Sequence, residues 1–166
     1  MDHTLFGPGE IAWRLAAVMA LVFANGFFVA AEFALVTVRK TRIDQLIAEG
    51  SRLARPVRRA ISEPDSYIAA TQLAITMSSL GLGWIGEPAI ASIIKPLLGQ
   101  LPVALRAPTA HSIAVAVAFA IITTLHIVLG ELAPKTVALQ YAERTALVVG
   151  RPTEIFMRVF WPFITA

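Results

Sequence analysis

The chain has 166 residues, of which 57% are hydrophobic and only 15% charged, with a net charge of +3 and no cysteine. Its mean hydropathy is +0.70, and the apolar residues fuse into long runs, so the composition excludes an ordinary soluble domain and indicates an all-α integral membrane protein. Without cysteine there are neither disulfides nor thiolate metal sites, which leaves oxygen and imidazole groups as the available metal ligands.

The N-terminal "MDHTLFGPGE" is acidic and gives no sign of a cleavable signal peptide. The first span, 11–38, is longer than the roughly 20 residues a helix needs to cross a bilayer. Seven basic residues follow within "RKTRIDQLIAEGSRLARPVRRA", together with apolar positions (Ile43, Leu46, Ile47, Leu53) at helical spacing. This pattern predicts an amphipathic juxtamembrane helix over 41–60, and its charge assigns it to the cytoplasm. That use of the positive charge makes nucleic acid an unnecessary partner.

The second apolar stretch begins near Tyr67 and carries Gly81, Gly83, Gly86 and Pro88. It reads as a span over 66–86, a break, and a short interfacial return. The loop "GQLPVALRAPT" has a single basic residue, Arg106, and reads as external. A third span over 110–130 returns to the cytoplasm. The segment 146–166 is apolar but holds Arg151, Glu154 and Arg158, which favours a second juxtamembrane helix over a fourth crossing. The topology is N-terminus out, three spans, C-terminus in. The apolar ending "WPFITA" suggests a longer protein whose remainder continues in the cytoplasm.

Ionisable and amide groups inside spans are costly and mark functional positions. Asn25 and Glu32 lie two turns apart on one face of the first span. Gln72, Thr76 and Ser79 form a stripe on the second, with Ser78 beside it. Thr123, Thr124, His126 and Glu131 end the third, and the three polar faces are expected to turn inward. Asn25, Thr76, Ser78 and Ser79 would also serve as hydrogen-bonded glue between helices. His126 reads as a packing or interfacial residue, and Glu32 as a partner of Arg39 or Lys40. Lys135 reads as an interfacial residue or a partner of Glu131.

The segment "HIVLGELAPKTVALQ" is the most informative. Pro134 has no N–H, so in a helix it leaves the carbonyl four residues back, that of Gly130, without its bond. The Glu131 carboxylate is adjacent. A helix break is therefore expected after the third span, with a free carbonyl and a charge where irregular backbone is tolerated only in protein or beside a cavity. Carboxylate, carbonyl, amide and hydroxyl oxygens suit a hard cation such as magnesium or sodium.

"NGFFVAAEFAL", "TQLAITMSSLGLGWIGEPA" and "GELAPKTVALQYAERTA" occur in that order. Together they resemble the transmembrane domain of the CorC/CNNM (cyclin M) magnesium transporters, a family also described as hemolysin-like, over almost the whole of residues 1–166. The resemblance implies a homodimer in the cell inner membrane or plasma membrane, each subunit with three spans and a belt of juxtamembrane helices. It implies magnesium efflux, with sodium as a candidate coupling ion, and a Mg²⁺ site built from Asn25, Ser79, the Gly130 carbonyl and Glu131, with Thr76 and Ser78 as neighbours. Full-length members carry paired cytoplasmic CBS domains that bind ATP; none is present in this chain. Relatives with serine in place of Asn25, or an asparagine-rich run in place of "ITMSS", leave the ligands on the first two helices more open than Glu131. Two other classes remain beside the transporter: a hemolysin-like or scaffold protein, and an intramembrane hydrolase pairing Ser78 or Ser79 with His126.

Overall fold

The computed structural model describes residues 7–98 and 108–164, all of them helical or in short connections, with no strand among them. The external loop and the extreme N-terminus lie outside the described residues. The elements are α1 (Pro8–Thr37), α2 (Lys40–Ala48), α3 (Ala54–Ser62), α4 (Pro64–Leu98), α5 (Pro108–Leu125), a π-helical segment (His126–Leu132), α6 (Ala133–Gln140) and α7 (Ala142–Ile164). Three stretches are long and apolar enough to cross a membrane: Gly9–Thr37, Pro64–Ile94 and Val115–Gln140. The chain is a multi-pass membrane protein.

Three sequence expectations are corrected here. The basic segment is two helices rather than one, because Gly50 takes the left-handed conformation with φ of 89°. The Ser51 N–H bonds the Leu46 carbonyl at 2.9 Å and the Gly50 N–H that of Ile47 at 3.0 Å, closing α2 in a glycine-terminated cap. The second span does not break at its glycines; α4 runs unbroken for 35 residues. Gly81 and Gly86 instead admit neighbouring side chains. A Cβ on Gly86 would stand 3.0 Å from Ile122 Cδ1, and one on Gly81 would stand 3.3 Å from the Leu21 methyls. The third correction concerns the expected break after residue 130. The helix continues to Gln140, and its irregularity is a π-helical turn in which the Ala133 N–H bonds the Val128 carbonyl, five residues back.

Small residues let the helices approach closely, as packing between apolar surfaces in lipid requires. One buried cluster gathers Val18, Val22, Leu82, Ala118 and Ile122. A second gathers Ala34, Val38, Ile43, Val57, Tyr67, Ala70, Ala138 and Ala146. Large apolar side chains such as Phe23, Leu80, Trp84 and Phe119 point outward, which suits a hydrocarbon solvent. In α1 the two clusters are separated by the stretch that contains Asn25, and in α4 by the stretch that contains Ser78 and Ser79. The bundle therefore has a polar waist.

Helix α7 closes the basic end of the bundle. Glu154, its side chain only 7% exposed, accepts from Arg59 Nη2 at 2.7 Å and from Arg158 Nη2 at 2.6 Å. Arg42 of α2 makes a two-point contact with Glu143, at 3.0 and 3.2 Å. Burial pushes the Glu154 carboxyl up, but the two guanidinium groups outweigh it and hold the group below its ordinary range.

Candidate metal centre

The waist is built by three helices. Asn25 of α1 is 1% exposed, and its Nδ2 donates to the Gly130 carbonyl at 2.8 Å. Its Oδ1 accepts from Ser79 Oγ of α4 at 3.3 Å. Ser79 Oγ also lies 3.2 Å from His126 Nε2. Ser78 is buried beside this network. Amide, hydroxyl, carbonyl and imidazole groups from all three spans thus converge on one point.

The π turn explains the convergence. Continued by one residue, its register would pair the missing Pro134 N–H with the Leu129 carbonyl rather than with that of Gly130. That carbonyl is turned toward Gly26 of α1, where a Cβ would stand 3.0 Å from Leu129 O and 2.9 Å from Pro134 Cγ. Only a glycine at 26 lets the proline and the carbonyl dock there. Gly130 is equally confined: a Cβ on it would meet His126 Cδ2 at 3.0 Å and Asn25 Nδ2 at 3.1 Å. The Gly26–Ala30 pair, a candidate dimer contact by its spacing, is occupied at Gly26 by a contact within the subunit.

Three other residues are placed differently from the sequence reading. Thr76 is exposed and its hydroxyl bonds the Gln72 carbonyl of its own helix at 2.8 Å. The inward face of α4 is rotated from the expected stripe, and buries Thr71, Ala74, Ser78 and Leu82 instead. Glu32 accepts from Thr71 Oγ1 at 3.3 Å rather than pairing with Arg39 or Lys40. Lys135 lies over the Phe33 ring, 4.4 Å from its centroid, and does not pair with Glu131. Glu131 itself is exposed, next in sequence to the buried Gly130. Asn25, Ser79, Gly130 and Ser78 are therefore brought together, whereas Thr76 and Glu131 stand outside the network. His126 is the member that sequence reasoning undervalued; its position one helical turn before Gly130 was the available signal.

The donor set of the waist is neutral. Among the described residues no three His, Cys, Asp or Glu side chains gather as a metal cluster. The arrangement suits a hard cation held by oxygens at the waist, with any compensating charge supplied from its surroundings. The Ser79–His126 contact has the reach of a nucleophile–base pair, but among the described residues no carboxylate orients the imidazole.

The comparisons with known proteins agree with this architecture. Residues 16–166 match the family model described as the cyclin M transmembrane N-terminal domain. The chain is 47% identical over 150 residues to UPF0053 protein YhdT of Bacillus subtilis (strain 168), covering 90% of this chain and 32% of that protein. It is 45% identical over 151 residues to UPF0053 protein YhdP of the same organism, covering 91% and 34%. With the uncharacterized protein MT1889 of Mycobacterium tuberculosis (strain CDC 1551 / Oshkosh) it shares 37% over 157 residues, covering 93% and 43%. The chain spans about a third of the length of the Bacillus relatives it matches. With its three spans, its π turn and its match over nearly the whole length, the chain belongs to the cyclin M transmembrane domain family.

Proposed function

We propose that this domain is the ion-translocating part of a magnesium transporter working in the efflux direction, with Mg²⁺ as substrate and sodium as the candidate coupling ion. The observation that carries the reading is the convergence of Asn25, Ser79 and the Gly130 carbonyl between two apolar clusters. Buried oxygens from three helices at the centre of a membrane bundle are expensive to maintain and suit a passing cation. Ser78 lies close enough in sequence to join them. A divalent ion stripped of water also needs negative charge, since neutral oxygens offset little of the dehydration cost. Glu131, adjacent to Gly130, is the candidate for that charge, and Thr76 a more distant neighbour. From the outer face of its helix, Glu131 reaches the ion only after the π segment or its side chain rearranges.

The working unit in this reading is a homodimer in the cell inner membrane or plasma membrane, with the cytoplasmic CBS domains supplied by the rest of the protein. The test is Mg²⁺ flux by the full-length protein in proteoliposomes, with and without a sodium gradient. Flux that is lost in Ser79→Ala and Glu131→Gln supports the assignment; absence of any Mg²⁺ flux from well-folded protein refutes it. The Ser79–His126 contact favours one second reading, an intramembrane hydrolase. A fluorophosphonate probe distinguishes it, because a hydrolase would be labelled at Ser79 and a transporter would not.

A further inference from the structure

A cleft of about 270 Å³ separates α4 from α5 and reaches the waist at its inner end. Ser79 and His126, both members of the central network, form that end, and Thr123 and Glu87 line the remainder. On α4 the lining residues Ser79, Gly83 and Glu87 follow one another at intervals of four, so they form a single stripe about 12 Å long at 1.5 Å per residue. Gly83 leaves the middle of the stripe without a side chain, and a Cβ added there would meet nothing within 4 Å. This distinguishes it from Gly81 and Gly86, whose missing side chains make room for Leu21 and for Val18 and Ile122. Packing therefore accounts for two glycines of this helix and leaves the third to account for an open groove. The groove carries a carboxylate at the end remote from the basic helices α2 and α3.

We propose that this cleft is an aqueous access route to the polar waist, with Glu87 as the residue that attracts a hydrated cation at its mouth and Gly83 keeping its floor clear. A carboxylate on a helix surface among apolar side chains is costly unless it meets water or a cation. Glu87 and Thr123 supply polar groups on either wall, which a groove filled by a lipid tail would not need. A single negative charge in a narrow, low-dielectric cleft raises the local cation concentration about tenfold or more. The ion would pass from Glu87 along the Gly83 floor to Ser79. This route rests on the transporter reading, but its geometry can be tested without it.

The absence of cysteine from these 166 residues makes thiol labelling the direct test. Gly83→Cys and Glu87→Cys are introduced singly into the full-length protein, freed of any other cysteine, in proteoliposomes. Leu80→Cys, at an outward position that is 70% exposed, serves as the lipid-facing control. Membrane-impermeant methanethiosulfonates of either charge are then added from the side opposite the basic helices. The expected result is labelling of both cleft variants and not of the control. At Gly83→Cys the cationic reagent should react about tenfold faster than the anionic one, an advantage lost when Glu87→Gln is added, and Mg²⁺ should slow the reaction. Failure of Gly83→Cys to react from that side, or a rate equal to that of the control, overturns the route and leaves the waist site standing. Labelling as described in a protein that moves no Mg²⁺ would instead keep the cleft and remove the transporter reading. In a protein that does transport, Glu87→Gln should raise the external Mg²⁺ concentration needed for half-maximal flux severalfold. Gly83→Leu should cut maximal flux at least tenfold while Mg²⁺ still stabilises the purified protein, and normal flux in both variants also overturns the route.

Discussion

Asn25→Ala separates the two roles that the waist amide can play, because the structural and the ligand role leave different marks on one melting curve. The substitution removes the 2.8 Å bond to the Gly130 carbonyl and the longer 3.3 Å bond from Ser79. Hydrogen bonds between helices in a membrane average about 0.6 kcal/mol, with the best near 1.7 kcal/mol. The short bond belongs toward the upper end, since it satisfies a buried carbonyl in a π turn, and the long one toward the lower. Together they give a loss of about 1–2 kcal/mol, or roughly 2–8 °C in melting temperature for a chain of this size. That shift is expected in the absence of Mg²⁺. A ligand role adds a second effect: Mg²⁺ at a hundred times its dissociation constant stabilises the native state by about 2.7 kcal/mol, and each tenfold loss of affinity removes about 1.4 kcal/mol of that. The assay is thermal unfolding of purified protein in detergent over a Mg²⁺ titration. A variant that melts like the parent without Mg²⁺ refutes the hydrogen-bond argument. A variant that melts lower but keeps the full Mg²⁺ shift refutes the ligand argument alone.

Three further outcomes are expected. Glu131→Gln keeps the shape of the side chain and removes its charge, so Mg²⁺ transport in liposomes should be lost with little change in melting, while Glu131→Asp should retain part of the flux; normal flux in Glu131→Gln would mean the charge comes from elsewhere. Gly26→Ala drives a Cβ to 2.9 Å from Pro134 Cγ and should destabilise the fold by about 1–3 kcal/mol, whereas Gly83→Ala, facing open space, should cost no more than a few tenths; equal melting temperatures would contradict the docking of the π turn on α1. Glu154, held below its ordinary value of 4.5, contributes stability that is present above that value and lost as pH falls through the lower native one. Melting followed from pH 7 to pH 3 should therefore decline at the acid end, and Glu154→Gln should flatten that decline.

The spans were legible in the sequence because their signal is additive. Length and apolarity sum over twenty residues, so the three crossings were recovered although Gly83 and Pro88 interrupt one of them. The glycines of α4 misled for a physical reason: a glycine weakens a helix in water, but between packed helices it is also what allows Leu21 and Ile122 to approach the backbone. Sequence alone does not distinguish a missing side chain that breaks a helix from one that admits a neighbour. Gly50, followed by no apolar partner and placed in a charged segment, was the one that ended a helix.

The waist was legible to the level of which residues, and not to the level of which way they face. Asn25, Ser79 and Gly130 could be chosen because polar groups in spans are few. Thr76 and Glu131 went astray because facing depends on helical phase, and one π turn shifts the phase of everything after it. In a regular α-helix Pro134 would have orphaned the Gly130 carbonyl and left Glu131 beside it at a break. The extra residue in the turn instead carries the Gly130 carbonyl to Asn25, hands the unpaired position to Leu129 opposite Gly26, and leaves Glu131 on the outer surface. A π turn is held only by what compensates it, here the Asn25 amide and the absence of a side chain at Gly26. An ion competing for the Gly130 carbonyl would weaken the first of these, so ion binding and the register of the third span are coupled through the same atom. Glu131, one residue away, is the side chain whose facing such a change of register would alter most directly.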